Sequence, residues 1–461
     1  MYYTLRLLQM IGALQQFICS GHQALTKGDS EIMKKQEKEA QTDVKRNTQT
    51  QRPGYRDILR QKEFLKIILA GLVNRFGDSI DAIAFTWLVY AITGNAGWSA
   101  LVFAVNQLPS VLVQPFAGAL VEGMDKKKLM VYTDIVRGFT TLGLAFLYIT
   151  GTLNPWIILL FTLINSSVEA FRLPASLAAV PKVLDEKYYT YGSSLNNTLC
   201  TVIQLVGLGC AGFIIASFGI GCAIAIDGLS FFGSALILAF LKIQETNLRK
   251  ERLQVKEYFA TLKEGLVYLK EVPVLRNLCM LAVVINVAVT PLNSLQSPLI
   301  QEVLGQGSNL LSTFSLTFTA GMGIGSFLYP FLSDKFTVRA QFTGTGILMG
   351  TGLYCYTFGE HLKSNVPAVY LLTITVSFLL GMSLSIMTSA LGVQFIKNVK
   401  KDYLARAGSI FNAGASAAMP AASLAVSALT ALCPVSQIFK LSALFCVIIF
   451  VSLAIMRVRL E

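Results

Sequence analysis

The sequence predicts an all-α polytopic membrane protein, with twelve transmembrane helices in two six-helix pseudo-repeats. Three observations predict it. Of the 461 residues, 54% are apolar and only 14% are Asp, Glu, Lys or Arg, about half the charged share of a soluble domain. The mean hydropathy is +0.58, more apolar surface than a soluble protein of this length could hide. From Lys66 onward, apolar segments alternate with short loops, and Lys and Arg gather in every second loop, which is the positive-inside pattern of a membrane protein. Together these exclude a cytosolic enzyme, a disordered chain and a fibrous one.

The elements follow in order. Residues 1–54 are expected to form a disordered cytoplasmic extension, because the run Lys27–Arg52 is too polar to bury a core. Met33 opens MKKQEKEA, which resembles a natural translation start, so Met1–Ile32 is expected to take no part in the fold. Tyr55–Lys66 alternates Ile58, Leu59, Phe64 and Leu65 with charges, as an interfacial helix would. The first bundle, 55–241, holds spans near 66–93, 99–121, 129–150, 156–180, 191–217 and 220–241. A linker, 242–274, carries seven basic residues from Lys242 to Lys270. The second bundle, 275–461, holds spans near 275–300, 308–332, 340–359, 367–396, 405–432 and 436–456. Each is long enough to cross about 30 Å of hydrocarbon.

Loop 122–128 has Lys126, Lys127 and Lys128, and loop 181–190 has Lys182 and Lys187. Lys335 and Arg339 follow span eight; Lys397, Lys400, Lys401 and Arg406 follow span ten. All lie on one side if the spans alternate, which puts both termini and the linker in the cytoplasm. The halves also match internally. Tyr191-Gly-Ser-Ser-Leu-Asn-Asn197 follows span four where Arg406-Ala-Gly-Ser-Ile-Phe-Asn412 follows span ten. Gly118-Ala-Leu-Val-Glu122 and Pro330-Phe-Leu-Ser-Asp334 each lead from a span into lysines. A duplicated six-helix unit explains both matches.

An ionised side chain at mid-bilayer costs about 2.5 kcal/mol or more, so each needs a reason. Span one holds Arg75, Asp78 and Asp81 at i, i+3 and i+6, roughly along one helix face, with Asp78 about 18 Å deep at about 1.5 Å per residue. Span four holds Glu169 and Arg172, span six Asp227, and span three Asp134 and Arg137 near its cytoplasmic end. Two readings of these charges stand. One of Asp78, Asp81 and Glu169 carries a coupling proton, exchanged as an Arg moves toward or away from it, with Arg75, Arg172 and Asp227 completing the cavity. Otherwise Arg75 and Arg172 pair permanently with the acids and hold spans one and four together. Asp134 and Arg137 are expected to brace a cytoplasmic gate with Gly118, Glu122 and Asp125 of the first half, and Asp334 and Arg339 of the second.

Other signals are negative. The eight Cys include no CxxC, and the two His, His22 and His361, cannot build a metal site. Gly321-Met-Gly-Ile-Gly325 lies inside an apolar span, where small residues allow close helix contact. No GxxxxGK[ST] occurs, so neither a nucleotide nor any other cofactor is expected. The lysine clusters read as faces near anionic lipid, not as a nucleic-acid site.

Several segments stand out together: Asn74-Arg-Phe-Gly-Asp-Ser-Ile-Asp-Ala-Ile-Ala-Phe-Thr-Trp-Leu-Val-Tyr90, Leu108-Pro109, Pro115-Phe-Ala-Gly118, Asp134-Ile-Val-Arg137, Phe171-Arg-Leu-Pro-Ala175, Asn196 and Asp227-Gly-Leu-Ser-Phe231. They resemble the major facilitator superfamily, in its macrolide-efflux and enterobactin-exporter branch. The resemblance covers about residues 58–456. Two positions depart from it: Glu122 and Gly123 stand where Asp-Arg is usual, and Gly207-Leu208 where antiporters often carry Gly-Pro. The resemblance implies a monomeric, proton-driven exporter of macrolide-like or other amphipathic drugs in the bacterial cytoplasmic membrane. Its partners would be a small-molecule substrate, protons and lipid. A siderophore exporter or an uptake permease of the same fold is the alternative, and a non-transporting membrane sensor a third reading.

Overall fold

Asn and Asp residues in the loops explain where several helices begin, because a short side chain that accepts from a free N–H of the first turn ends the loop there. Asn95 accepts from Gly97, Asp125 from Lys128, Asn154 from Ile157 and Asn365 from Ala368, at 2.7 to 3.2 Å. A computed structural model of the chain describes residues 58–122, 124–185, 188–243, 267, 271–399 and 404–455. The expected N-terminal extension and nearly all of the linker lie outside the described residues.

The first six spans are α1 (Lys62–Thr93), α2 (Ala96–Leu112) with α3 (Gln114–Glu122), α4 (Lys126–Ile149), α5 (Pro155–Val183), α6 (Tyr189–Phe218) and α7 (Ile220–Ala239). The last six are α8 (Pro273–Ser294), α9 (Ser308–Ser333), α10 (Val338–Thr357), α11 (Val366–Asn398), α12 (Leu404–Thr430) and α13 (Val435–Ile455). The described residues contain no strand. Eight of these helices are long and apolar enough to cross a membrane by themselves. Of the others, α1 and α4 each carry several charges, and the second span is interrupted at Val113, two residues before Pro115, whose missing N–H breaks the ladder. The seventh span also departs from a plain helix. Past α8 it ends in a short turn and then a π turn, Leu299–Val303, closed by Leu304 N–H donating to the Leu299 carbonyl at 3.0 Å.

In the first half, α7 packs on α1 and α4. Three glycines allow it: a Cβ at Gly77 would lie 2.5 Å from Asp227 Oδ1, and one at Gly138 or Gly228 would meet Phe232 or Leu142 at 2.7 Å. In the second half, α9 runs along α11 on Gly321, Gly325 and Gly381, whose added Cβ atoms would strike backbone of the facing helix. The two halves meet as α2 on α12 and α6 on α9. In span numbers these are two on eleven and five on eight, and adding six to the first member of each pair gives the second member of the other. That is what a two-fold relation between the halves requires.

Hydrogen bonds between the halves gather toward one end. Ser423 Oγ donates to the Ala100 carbonyl at 2.6 Å, Ser427 Oγ to the Gly97 carbonyl at 2.8 Å, and Tyr90 Oη to Glu302 Oε1 at 2.6 Å. Lys363 Nζ steadies the same turn by donating to the Glu302 carbonyl at 2.6 Å. This end is opposite the one that carries Lys126, Lys182, Lys242, Lys335 and Lys397.

Candidate functional site

Charged side chains meet between α1, α4, α5 and α7, well inside the first half. Arg137 is eleven residues beyond Lys126, the start of α4, about 16 Å along the helix at about 1.5 Å per residue. Its side chain is only 7% exposed. Nη2 lies 3.2 Å from Asp78 Oδ1 and 3.6 Å from Glu169 Oε2. Nε donates to Asn165 Oδ1 at 3.2 Å, and the guanidinium carbon sits 4.1 Å from the centroid of Phe231, a cation–π distance. One guanidinium therefore bridges the acids of spans one and four.

This corrects the expected pairing in two respects. Arg137 does not brace the loop 122–128. The helix starts earlier than the apolar run suggests, which carries Arg137 deeper. Nor does Arg172 pair with Glu169: its Nε and Nη2 donate to the two oxygens of Asp134 at 2.9 and 3.4 Å. Asp134 is fully buried and also accepts from Ser234 Oγ at 2.6 Å and from Asn74 Nδ2 at 3.3 Å. Those four residues come from spans three, four, six and one. A buried carboxylate so fully partnered is a structural clamp. Arg75, expected beside the acids of its own helix, is exposed and lies by Cys200 of α6.

Asp81 and Asp227 are different. Neither forms an ion pair with a described residue. Asp227 is 1% exposed and accepts from Ser230 Oγ at 3.4 Å. Asp81 Oδ1 is buried without a hydrogen-bond partner. Asp81 lines a cavity of about 50 Å³ together with residues of α1, α2, α4 and α5, among them Phe85, Asn106, Phe161, Thr162 and Asn165. The cavity holds a few waters at most.

The remaining expected residues lie elsewhere. Asp125 caps α4 and pairs with Lys128 at 3.7 Å. Asp334 is exposed after α9, and Arg339 lies in the first turn of α10. Gly118 and Glu122 close α3, and their side chains lie outside the described residues. The charge pattern does not point to the other residues beside the acids, Asn74, Asn165, Ser234 and Phe231. Their one sequence signal is that polar and aromatic residues sit within a turn of the charges.

The chain as a whole is similar to known transporters. A family described as transmembrane secretion effector matches residues 57–461. The uncharacterized MFS-type transporter YkuC of Bacillus subtilis is 24% identical over 73% of this chain and 78% of its own. Macrolide efflux protein A of Streptococcus pyogenes is 23% identical over 78% of this chain and 87% of its own. Among solved structures, the nucleoside transporter NupG superposes with a TM-score of 0.68 at 10% identity, covering 86% of this chain and 98% of that one. At that identity the likeness concerns the fold alone.

Proposed function

The chain belongs to the transmembrane secretion effector family of MFS-type transporters, and from that premise we propose a proton-coupled exporter of amphipathic small molecules. It is a membrane transporter, not an enzyme. The reading places it as a monomer in the bacterial cytoplasmic membrane, with the lysine-rich end and both termini inside. The two halves alternate access to a space between them, and protons moving inward drive the cargo out. The similarity to macrolide efflux protein A supports drug-like cargo. The segments Gly118–Asp125 and Asp334–Arg339 are assigned to the cytoplasmic gate.

The observation that carries the proposal is Arg137 bridging Asp78 and Glu169 at mid-depth. One guanidinium facing two carboxylates leaves one negative charge in excess. If Arg137 leans to one acid, the other is free to take a proton, so a helix movement that shifts Arg137 exchanges the proton. Asp78 holds the inner position and Glu169, 54% exposed on its side chain, the accessible one. Asp81, Asp227, Arg75 and Arg172 complete or support the cavity.

Everted vesicles energised by ATP test this. Adding a macrolide should release protons from vesicles that contain the chain, and Asp78→Asn and Glu169→Gln should abolish the release while membrane expression stays intact. Normal proton release in both variants would refute the coupling role. Accumulation from outside in right-side-out vesicles would show an uptake permease instead.

A further inference from the structure

We propose that the cavity at Asp81 is a subsite for an organic ammonium group, so that the cargo carries a cationic amine at one end of an apolar body. The substrate class rests on the export reading above; the binding site itself does not. Four features point to this occupant. Asp81 lines the cavity and its Oδ1 is buried without a hydrogen-bond partner, so its carboxylate costs stability unless a positive charge comes to it. Among the described residues, no positive side chain pairs with Asp81: Arg137 is taken by Asp78 and Glu169, and Arg172 by Asp134.

The walls are the third feature. Phe85 and Phe161 line the space with Asn106, Thr162 and Asn165. An alkylammonium carries its charge spread over apolar carbon, and aromatic faces with one carboxylate are what recognises it. A bare metal cation wants oxygen ligands all round, but Asp81 is the one carboxylate among the described residues of this lining, Asn165 Oδ1 already accepts from Arg137, and the Thr140 and Thr162 hydroxyls donate to their own helices. The fourth feature is size and access. The cavity, about 50 Å³, admits a head group but no drug-sized body, and Asn106 is exposed at its rim. The body of the cargo therefore stays outside the cavity, and Asp81 selects by charge while the larger space tolerates varied shapes.

The test is equilibrium binding to the full chain in lipid nanodiscs, with no gradient across the membrane. Choline and 3,3-dimethylbutan-1-ol serve as probes, since they differ in having nitrogen or carbon at the quaternary centre. Choline should bind and the alcohol should not. Asp81→Asn should weaken choline about tenfold or more, Asp81→Glu should retain most of it, and Phe161→Leu should weaken it about threefold. Thermal melting of each variant reports whether it is folded, and Asp81→Glu keeps the test decisive if Asp81→Asn is not.

Equal binding of the two probes would overturn the proposal, as would choline affinity unchanged in Asp81→Asn, or displacement of choline by sodium at equal concentration. Failure of choline binding while everted vesicles still export would sink this subsite alone. Choline binding with no flux of any cargo would instead sink the export reading.

Discussion

Asp78 and Asp134 are both intramembrane carboxylates beside an arginine, yet their surroundings assign them opposite tasks. Asp134 is fully buried with donors from three other helices, so removing its charge leaves Arg172 buried and unpaired. Asp134→Asn should cost about 3 kcal/mol or more, seen as a lower melting temperature and less folded protein on detergent extraction. Asp78, one third exposed on its side chain and sharing Arg137 with Glu169, has a weaker hold. Asp78→Asn should leave melting within about 1 kcal/mol of the parent and remove proton-linked flux. If the two variants were equally unstable, this division of labour would be wrong. Which acids lie in the membrane was legible in the sequence. Which arginine each one meets was not, because Arg137 and Asp78 are 59 residues apart and their meeting depends on how two helices rotate against each other.

At the scale of elements, the glycines of α9 and α11 set how closely these helices approach. Gly321 and Gly381 each face backbone of the opposite helix, whereas Gly323, between Gly321 and Gly325, faces open space. Gly381→Ala should therefore lower stability by more than about 1 kcal/mol, and Gly323→Ala should be neutral or slightly stabilising through helix propensity; differential thermal melting separates them. The spacing of small residues in the apolar run was enough to read this contact as packing. The broken second span and the π turn at Leu299–Val303 were not legible to the same degree. Pro115 and Pro298 mark the disturbances, but their form depends on what α5 and Lys363 offer nearby. The interfacial helix expected over Tyr55–Lys66 also differs, since α1 already begins at Lys62.

The whole molecule is asymmetric despite its repeat. Among the described residues, every carboxylate inside a membrane-spanning α-helix belongs to the first half. In the second half, the acids among the described residues lie at helix ends or loops, at Glu302, Asp334 and Glu360. There the interior polarity is neutral, with Thr317, Ser377, Thr373 and Tyr356 between α9, α10 and α11. On the proposed coupling, proton exchange belongs to one half and the other works as a partner surface. The contacts near Gly97 and Ser427 should open when access switches to the outer side. A cysteine pair at these two positions, in a background without the native cysteines, should form a disulfide that stops efflux until a reductant is added. Full efflux from the cross-linked protein would show that this end need not part.

The clamp on Asp134 also bears on how the chain enters the membrane. Spans emerge in order, so when the third arrives Asn74 is already in place, while Arg172 and Ser234 are not yet made. An aspartate inside a span costs up to about 3 kcal/mol at insertion, and the arginine that pairs with Asp134 in the folded protein arrives only with the fourth span. The third and fourth spans are therefore best delivered together as a hairpin, with α7 locking them afterwards. Slowing synthesis between residues 150 and 172 should then increase degradation of the nascent chain, and the same delay after residue 240 should not.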